Sequence, residues 1–465
     1  MACLVPLAGC VACQACTCLG GSVCSCLCGL CSKEKNPSKE RMAGRWARIT
    51  YLALAVVTIL VAGVVRDTAP ASLTGDEVLS KVLSVNMDCP EGLDSKDCMA
   101  KALRTFVLRM CFATAVFHLC LALFTIGASD YSNPRVMLHS GLWPVKLGMW
   151  LLLHVMVFFI SSSFFLAFGW VALIASVFFL LIQIVIFIEW IYEWNETWVQ
   201  LDGTENVTGP WHILILLISV LSLGAAIGMT VVMFMWFGKN TADPTAEGGC
   251  ELYTFFTSFN LVFWLLLTLG SFRATAWNHA TGILPSSLIS AFMTFKVLMA
   301  LYAQNQCNQL ADGSDTSDKI PGPPQLLTAI SIIIAIVLAA YNSVVITKAH
   351  EDGAFSCVSR AVPLVEMDNA NTNNMEEGEA SEARESEEPA LSGPVGYNPA
   401  AFHFAFMLGI LYVAMQLTNW NEDFKPGEID KSKASMWIKV VDSWVLGLVY
   451  LWSLIAPVVL KDRTW

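Results

Sequence analysis

The sequence has 465 residues, of which 55% are hydrophobic and only 14% are charged. Its apolar residues stand in long blocks rather than in amphipathic stripes, which excludes a soluble globular domain and indicates an all-α polytopic membrane protein. The net charge of −11 is unevenly distributed: residues 365–390 carry nine acids and one arginine, so this tract supplies −8 and the remainder −3. No segment is basic enough to predict nucleic-acid binding.

Nine of the sixteen cysteines lie within the first 31 residues. Their spacing is similar to that of a zinc module, but no histidine stands among them and the intervening residues are mostly apolar. A membrane-embedded or S-acylated segment fits this composition better, and we expect no metal or other cofactor. No basic stretch precedes the apolar part, which argues against a signal peptide. The candidates for S-acylation are Cys24, Cys26, Cys28 and Cys31.

Ten membrane spans are predicted from the length of the apolar runs. They cover residues 51–65, 103–126, 145–162, 164–199, 212–236, 252–272, 284–303, 325–347, 400–417 and 436–460. Residues 33–48 contain six basic and two acidic residues directly before the first span, so the positive-inside rule places this segment in the cytosol. Counting onward from there also places the C-terminus in the cytosol.

This pattern divides the chain into four regions. Residues 1–48 form a Cys-rich, membrane-associated N-terminus followed by the basic cytosolic segment, and residues 49–347 contain the first eight spans. Residues 348–399 form a cytosolic loop whose acidic, Ser- and Asn-rich middle cannot bury a core and should be disordered. Residues 400–465 contain the last two spans and a short cytosolic end.

The stretch from 142 to 200 organises the other spans. It is almost uncharged over about twice the length that crosses a hydrocarbon core, and Ser161-Ser162-Ser163 divides it into two helices. The second helix, 164–199, reaches roughly 50 Å, against a core of about 30 Å. We therefore expect an oblique strut with other helices on both sides of it. Its far end, from Glu189 to Asn195, carries the aromatics expected where a helix leaves lipid.

Four cysteines fall in loops predicted to face the outside or a lumen, where disulfides form. We expect a local bridge between Cys89 and Cys98, and Cys250 and Cys307 could pair. Two glycosylation sequons begin at Asn195 and Asn206 but face the cytosol in this topology, so both should be bare. Gly224 and Gly228 form a small-xxx-small pattern that favours close helix packing.

Polar groups inside the predicted spans are the candidate functional residues, because each is costly to bury in lipid. Lys296 and Asp442 lie at the same depth near the outer ends of their helices, so they either pair or reach the interface separately. Glu189, Glu193 and Asn195 could contact lipid headgroups or a polar solute, or could belong to a solvated helix end. Six further polar residues are better explained as contacts between helices. They are Asn260, Gln183, Asn342, His118, His154 and His403.

Several segments in this order resemble the Serinc (serine incorporator, TMS/TDE) family over nearly the whole chain. They are the Cys-rich start, Asp130-Tyr131-Ser132-Asn133-Pro134-Arg135 with Gly141-Leu142-Trp143, Trp194-Asn195-Glu196-Thr197-Trp198, Ser286-Ser287-Leu288-Ile289, Phe402-His403-Phe404, Leu411-Tyr412-Val413-Ala414-Met415, Leu417-Thr418-Asn419-Trp420 and the end Tyr450-Leu451-Trp452-Ser453-Leu454-Ile455-Ala456-Pro457 with Asp462-Arg463. The resemblance implies ten membrane helices in two bundles bisected by a long diagonal helix. It carries no agreed catalytic residues, so no enzyme is expected.

Family members are described as promoting the incorporation of serine into phosphatidylserine and sphingolipids, as scrambling phospholipids between leaflets, and in some cases as restricting enveloped viruses. The resemblance thus implies a multi-pass protein of the plasma membrane or of the ER and Golgi that handles phospholipids and sphingolipids. The alternative is a serine carrier or scaffold for lipid-synthesising enzymes, with self-association as a further expectation. Ion-coupled transport is disfavoured, since no internal repeat with matching broken helices is evident.

Overall fold

In the computed structural model of the chain, the described residues are 37–72, 95–128, 134–202, 209–238, 250–276, 281–303, 398–421 and 432–460. They form helices and short turns. The helices are α1 (Pro37–Ser72), α2 (Ser95–Thr125), α3 (Pro134–Ser140), α4 (Trp143–Met156), α5 (Ser162–Asp202), α6 (Pro210–Phe237), α7 (Glu251–Ala274), α8 (Ile283–Ala303), α9 (Pro399–Leu417) and α10 (Lys433–Val459). This part of the chain confirms the predicted all-α polytopic class.

Among the described residues, eight helices are long and apolar enough to cross a membrane: all of the set except α3 and α4. Helix α4 is shorter than the predicted span 145–162, because it ends at Met156 and continues only as a 3₁₀ turn, Val157–Phe159. The predicted span 325–347, the Cys-rich start up to residue 36 and most of the acidic loop lie outside the described residues.

The break between α4 and α5 is local and polar. Ile160 adopts an extended backbone conformation, and α5 begins two residues later at Ser162, as the serine triplet predicts. The carbonyl of Ile160 accepts a hydrogen bond of 3.0 Å from Nη2 of Arg109 on α2. A carbonyl released from a helix at membrane depth needs such a donor, since lipid supplies none.

Helix α5 packs first against one bundle and then against a second. Its N-terminal half, up to Leu180, joins an apolar core built mainly from α1, α2 and α9. From Ile184 onward it joins a core shared with α7, α8 and α10. Helices α3 and α4 complete the first bundle and α6 completes the second. The 41 residues of α5 span about 60 Å, twice the thickness of a hydrocarbon core. The expected strut is therefore present between two bundles.

The glycine pattern of α6 makes no close helix contact within the described residues. A β-carbon at Gly224 or Gly228 would meet no atom of the described residues within 4 Å, so this face of α6 does not pack on another described helix. Close approach occurs instead on α10, where a β-carbon at Gly447 would lie 2.5 Å from the ring of Phe263 and 2.8 Å from Cε of Met293. Small residues permit close packing, but the neighbouring helix decides where it happens.

Candidate functional site at the junction of the bundles

An ion pair joins α8 to α10 inside the second bundle. Nζ of Lys296 donates a hydrogen bond to Oδ2 of Asp442, and the two side chains are 14% and 5% exposed. The structure thus confirms that these residues pair rather than reach the interface separately. A partly buried pair of this kind is weak evidence for stability, because desolvation offsets much of the attraction. The functional interest of the pair therefore lies in its position in the fold rather than in its contribution to the stability of the protein.

The pair lines a narrow cleft where α5, α8, α9 and α10 meet, with a cavity volume of about 20 Å³. Leu180 of α5 and Tyr412 of α9 contribute one wall, and α8 and α10 contribute the other. Lys439 stands one helical turn before Asp442 and also lines the cleft, although its residue is only 9% exposed. Among the described residues, the charged groups that line the cleft are two ammonium groups and one carboxylate, an arrangement that favours a ligand with an anionic part.

Aromatic side chains close the first-bundle side of the cleft. Trp420 follows α9 and lines the cleft from a left-handed backbone conformation with φ 57°. Such a conformation is uncommon for a bulky residue and costs of order 1–3 kcal/mol. Its ring lies 5.9 Å from that of Tyr412, whose hydroxyl accepts a hydrogen bond of 2.9 Å from Nε2 of Gln416. Trp420 belongs to a segment that carries the family resemblance, but no sequence pattern assigned it to a site, whereas Lys439 could have been found because it shares a helix face with Asp442.

The other three predicted contact residues lie elsewhere on the strut. Glu193 is exposed, Glu189 is half-buried, and Asn195 is only 7% exposed beside Gly282. Glu189 follows Leu180 by nine residues, or about 13 Å along α5. The structure therefore does not bring these residues to the ion pair. They lie toward the helix end that the sequence predicts to face the cytosol, where a buried Asn195 fits poorly with glycosylation.

Sequence reasoning missed most of a buried polar cluster in the first bundle. Nζ of Lys146 donates to the Tyr51 hydroxyl at 2.9 Å and to the carbonyl of His139 at 3.0 Å. Nδ1 of His139 lies 3.0 Å from Nε2 of His403, whose Nδ1 lies 3.0 Å from Nδ1 of His118. Burial, reinforced by nearby cationic and histidine side chains, lowers the pKa of His139 on α3 to about 3, so its ring is neutral.

This cluster acts as a contact between helices rather than as a metal site. His403 uses a different ring nitrogen for each histidine partner, so the three rings do not point at a common centre. In the described part of the chain, no group of His, Cys, Asp and Glu side chains has the arrangement of a metal site. The assignment of His118 and His403 as helix contacts therefore agrees with their geometry. In the second bundle Asn260 similarly donates to Thr294 at 3.1 Å.

The cysteine predictions reach only partly into the described residues. Cys98 and Cys250 are disulfide-bonded, while Cys111 and Cys120 are free thiols. The proposed partners Cys89 and Cys307, and the acylation candidates from Cys24 to Cys31, lie outside the described residues. The pairings Cys89–Cys98 and Cys250–Cys307 therefore stay predictions.

The protein is a multi-pass, all-α integral membrane protein. This class is defined by two helical bundles, the long strut between them and the charged cleft at their junction. The chain belongs to the serine incorporator (Serinc) family, whose model matches residues 15–463. A protein of Monosiga brevicollis described as a probable serine incorporator is 27% identical, over 96% of this chain and 95% of the relative. Bovine serine incorporator 3 and human serine incorporator 2 are each 25% identical, over 96% of both chains.

Proposed function

We propose that this protein handles membrane lipids without catalysing a covalent step. It promotes the incorporation of serine into phosphatidylserine and sphingolipids, moves phospholipids between leaflets, or does both. The observation that carries this proposal is the cleft at the bundle junction, which combines Lys296, Lys439 and Asp442 with apolar and aromatic walls. Charged side chains at membrane depth are expensive and are usually functional.

The arrangement suits a lipid because a lipid has two unlike parts. A phosphate-bearing headgroup is attracted to the two ammonium groups in the cleft, while its acyl chains remain in the bilayer beside the apolar helices. Lys296 and Asp442 then act as headgroup contacts at one level. Glu189, Glu193 and Asn195 act as contacts at the predicted cytosolic end of α5. On this proposal the partners are phospholipids and sphingolipids of the plasma membrane or of the ER and Golgi.

A serine carrier or scaffold for lipid-synthesising enzymes is the second candidate. A zwitterionic amino acid needs a cation for its carboxylate and an acid for its ammonium group. Lys439 and Asp442 lie one turn apart in the same cleft and supply both. This form of the function requires direct binding of serine, and contact with enzymes or with a second copy of the chain would deliver it.

The test is lipid movement in liposomes that contain the purified full-length chain. Fluorescent phospholipid is placed in both leaflets, and dithionite destroys the outer-leaflet signal. Loss well beyond half of the signal supports lipid movement, and Lys439→Gln should slow it. Lys433→Gln is the matched control, because Lys433 is exposed on the same helix outside the cleft.

Signal loss that stops at half, with protein shown to be folded, contradicts movement of lipid by this chain. Titration with radiolabelled serine then decides the second candidate. Saturable binding that Lys439→Gln weakens and Lys433→Gln does not would support a carrier. If the protein moves no lipid and also binds no serine, both candidate functions of the cleft are contradicted.

A further inference from the structure

A continuous file of aromatic rings connects the charged cleft to the far end of α5. We call it the aromatic track. In order from the cleft, its members are Phe295, Phe292, Phe187, Trp190, Trp194, Trp198 and Trp211. Successive ring centroids lie 6.5, 4.5, 6.3, 5.1, 5.1 and 5.3 Å apart. All are within the range at which aromatic rings contact one another.

The track runs along the helix axis and joins two levels of the molecule. Phe295 lines the cleft, and Trp211 stands at the start of α6. From Phe187 to Trp198 the track follows α5 for eleven residues, or about 16 Å. An interfacial aromatic belt keeps its rings at one depth, whereas this file changes depth with every turn. An aromatic belt therefore accounts for one end of the track but not for its length.

Every ring of the track is half-buried, so each contacts its neighbours and still presents surface to the surroundings. The rings are consequently neither fully enclosed core residues nor isolated surface groups. A molecule moving beside α5 would meet one ring after another. The edges and faces of these rings offer only two interactions, apolar contact and attraction of a cation to the ring face.

The charges beside the track favour a cation. Helix α5 contains four acidic residues and no lysine or arginine. Glu189, Glu193 and Glu196 fall in the same turns as the track tryptophans. At the other end of the track, Nζ of Lys296 already lies 5.0 Å from the ring centroid of Phe292. One ring of the track therefore already contacts an ammonium group that belongs to the protein itself.

We infer that the aromatic track is a binding path for the quaternary ammonium group of choline lipids. Successive ring faces contact the trimethylammonium group, and the glutamates balance its charge. The lipid phosphate meets the ammonium groups of the cleft where the track begins. This inference rests on the proposed lipid handling and gives it a substrate class. Phosphatidylglycerol, whose headgroup has no cation, should make little use of the track.

The test compares two lipids in the liposome assay, with the fluorophore on the acyl chain of phosphatidylcholine or of phosphatidylglycerol. Trp194→Leu should slow movement of the choline lipid about threefold to fivefold, the ratio expected for loss of one exposed cation–π contact. Movement of phosphatidylglycerol should be unchanged. Trp194→Phe keeps an aromatic face and should retain most of the rate for the choline lipid.

Two further variants separate the track from general damage to α5. Glu193→Gln changes an exposed residue and should also slow only the choline lipid. Trp170→Leu is the matched control, because Trp170 lies on α5 outside the track and is 64% exposed. It should leave both lipids unaffected. Equal slowing of both lipids by Trp194→Leu, or slowing of neither, overturns the inference.

A binding measurement keeps the inference separate from the proposed function. Short-chain phosphatidylcholine should raise the Tm of the full-length protein in detergent, and short-chain phosphatidylglycerol should raise it less. Trp194→Leu should remove that difference, and Trp170→Leu should keep it. If the wild-type protein moves no lipid, lipid movement fails as a function. The Tm difference then decides the choline site by itself, and its absence overturns the inference.

Discussion

Lys146 on α4 donates a hydrogen bond to the hydroxyl of Tyr51 on α1, 95 residues earlier in the chain. Its ammonium group also lies 3.8 Å from the ring centroid of Trp143. Both Lys146 and Tyr51 are almost completely buried, and among the described residues no carboxylate pairs with this lysine. Among the described residues, the partners of this amino group are neutral acceptors and the rings of Tyr51 and Trp143. Each of these contacts should therefore matter.

Tyr51→Phe should destabilise the first bundle by about 1–3 kcal/mol, because it leaves a buried donor without one of its acceptors. Thermal unfolding of the purified protein in detergent measures the effect as a lower Tm. Tyr302→Phe is the control, since Tyr302 is similarly buried in the second bundle but makes no side-chain hydrogen bond within the described residues. Equal Tm values for the two variants would contradict a stabilising role for the Tyr51 hydroxyl.

Reversal of either charge in the pair of Lys296 and Asp442 should sharply reduce the yield of folded protein. Removing one partner of a buried pair leaves an uncompensated charge, which costs about 3–5 kcal/mol. The double reversal, Lys296→Asp with Asp442→Lys, restores opposite charges and should recover part of the yield. Size-exclusion chromatography with fluorescence detection measures the folded fraction. A double variant no better than the single ones would show that charge pairing does not determine folding here.

One carboxylate joins the end of α5 to the start of α6. Oδ2 of Asp202 accepts hydrogen bonds from the backbone N–H of His212 at 2.8 Å and from its Nδ1 at 3.1 Å. The first amides of a helix have no partner within it, so Asp202 acts as a cap supplied by the preceding helix. Gly209 lies directly against this carboxylate and has no room for a β-carbon.

Asp202→Ala should therefore loosen the first turn of α6. Loss of a cap costs about 1 kcal/mol, which should speed hydrogen exchange of the His212 amide about fivefold. Asp202→Asn keeps an acceptor oxygen and should show a smaller change. Glu196→Ala serves as control, because within the described residues Glu196 accepts only from Gln200 on its own helix. Exchange at His212 that responds to Glu196→Ala as strongly as to Asp202→Ala would refute the cap.

The strut and the ion pair were predictable because length, charge and depth can be estimated for each segment separately. An uncharged run too long for the bilayer must tilt or protrude, and two opposite charges at equal depth are able to meet. The cluster of His118, His139 and His403 depends instead on how α3 folds back onto α9, across 264 residues of sequence. Hydrophobic periodicity contains no information about such a contact.

The remaining differences also have physical reasons. The position of Trp420 depends on a turn in which both Asn419 and Trp420 adopt the left-handed conformation. Asparagine favours this conformation, but its presence in the sequence does not by itself predict the turn. Gly224 and Gly228 have the right spacing for a helix contact, yet α6 turns this face away from the other described helices. Spacing alone predicts that two helices can approach closely, and tertiary packing determines whether they do.

The cysteines provide a test of the predicted topology. Alkylation of the denatured, unreduced protein should modify Cys111 and Cys120, which are free, and leave Cys98 and Cys250 unmodified. Mass spectrometry of the digest should then find linked peptides that join Cys89 to Cys98 and Cys250 to Cys307. Bridges at these positions require the loops before α2 and α7 to face an oxidising compartment. Free thiols at Cys98 and Cys250 in protein from intact cells would place both loops in the cytosol and invert the predicted orientation of every span.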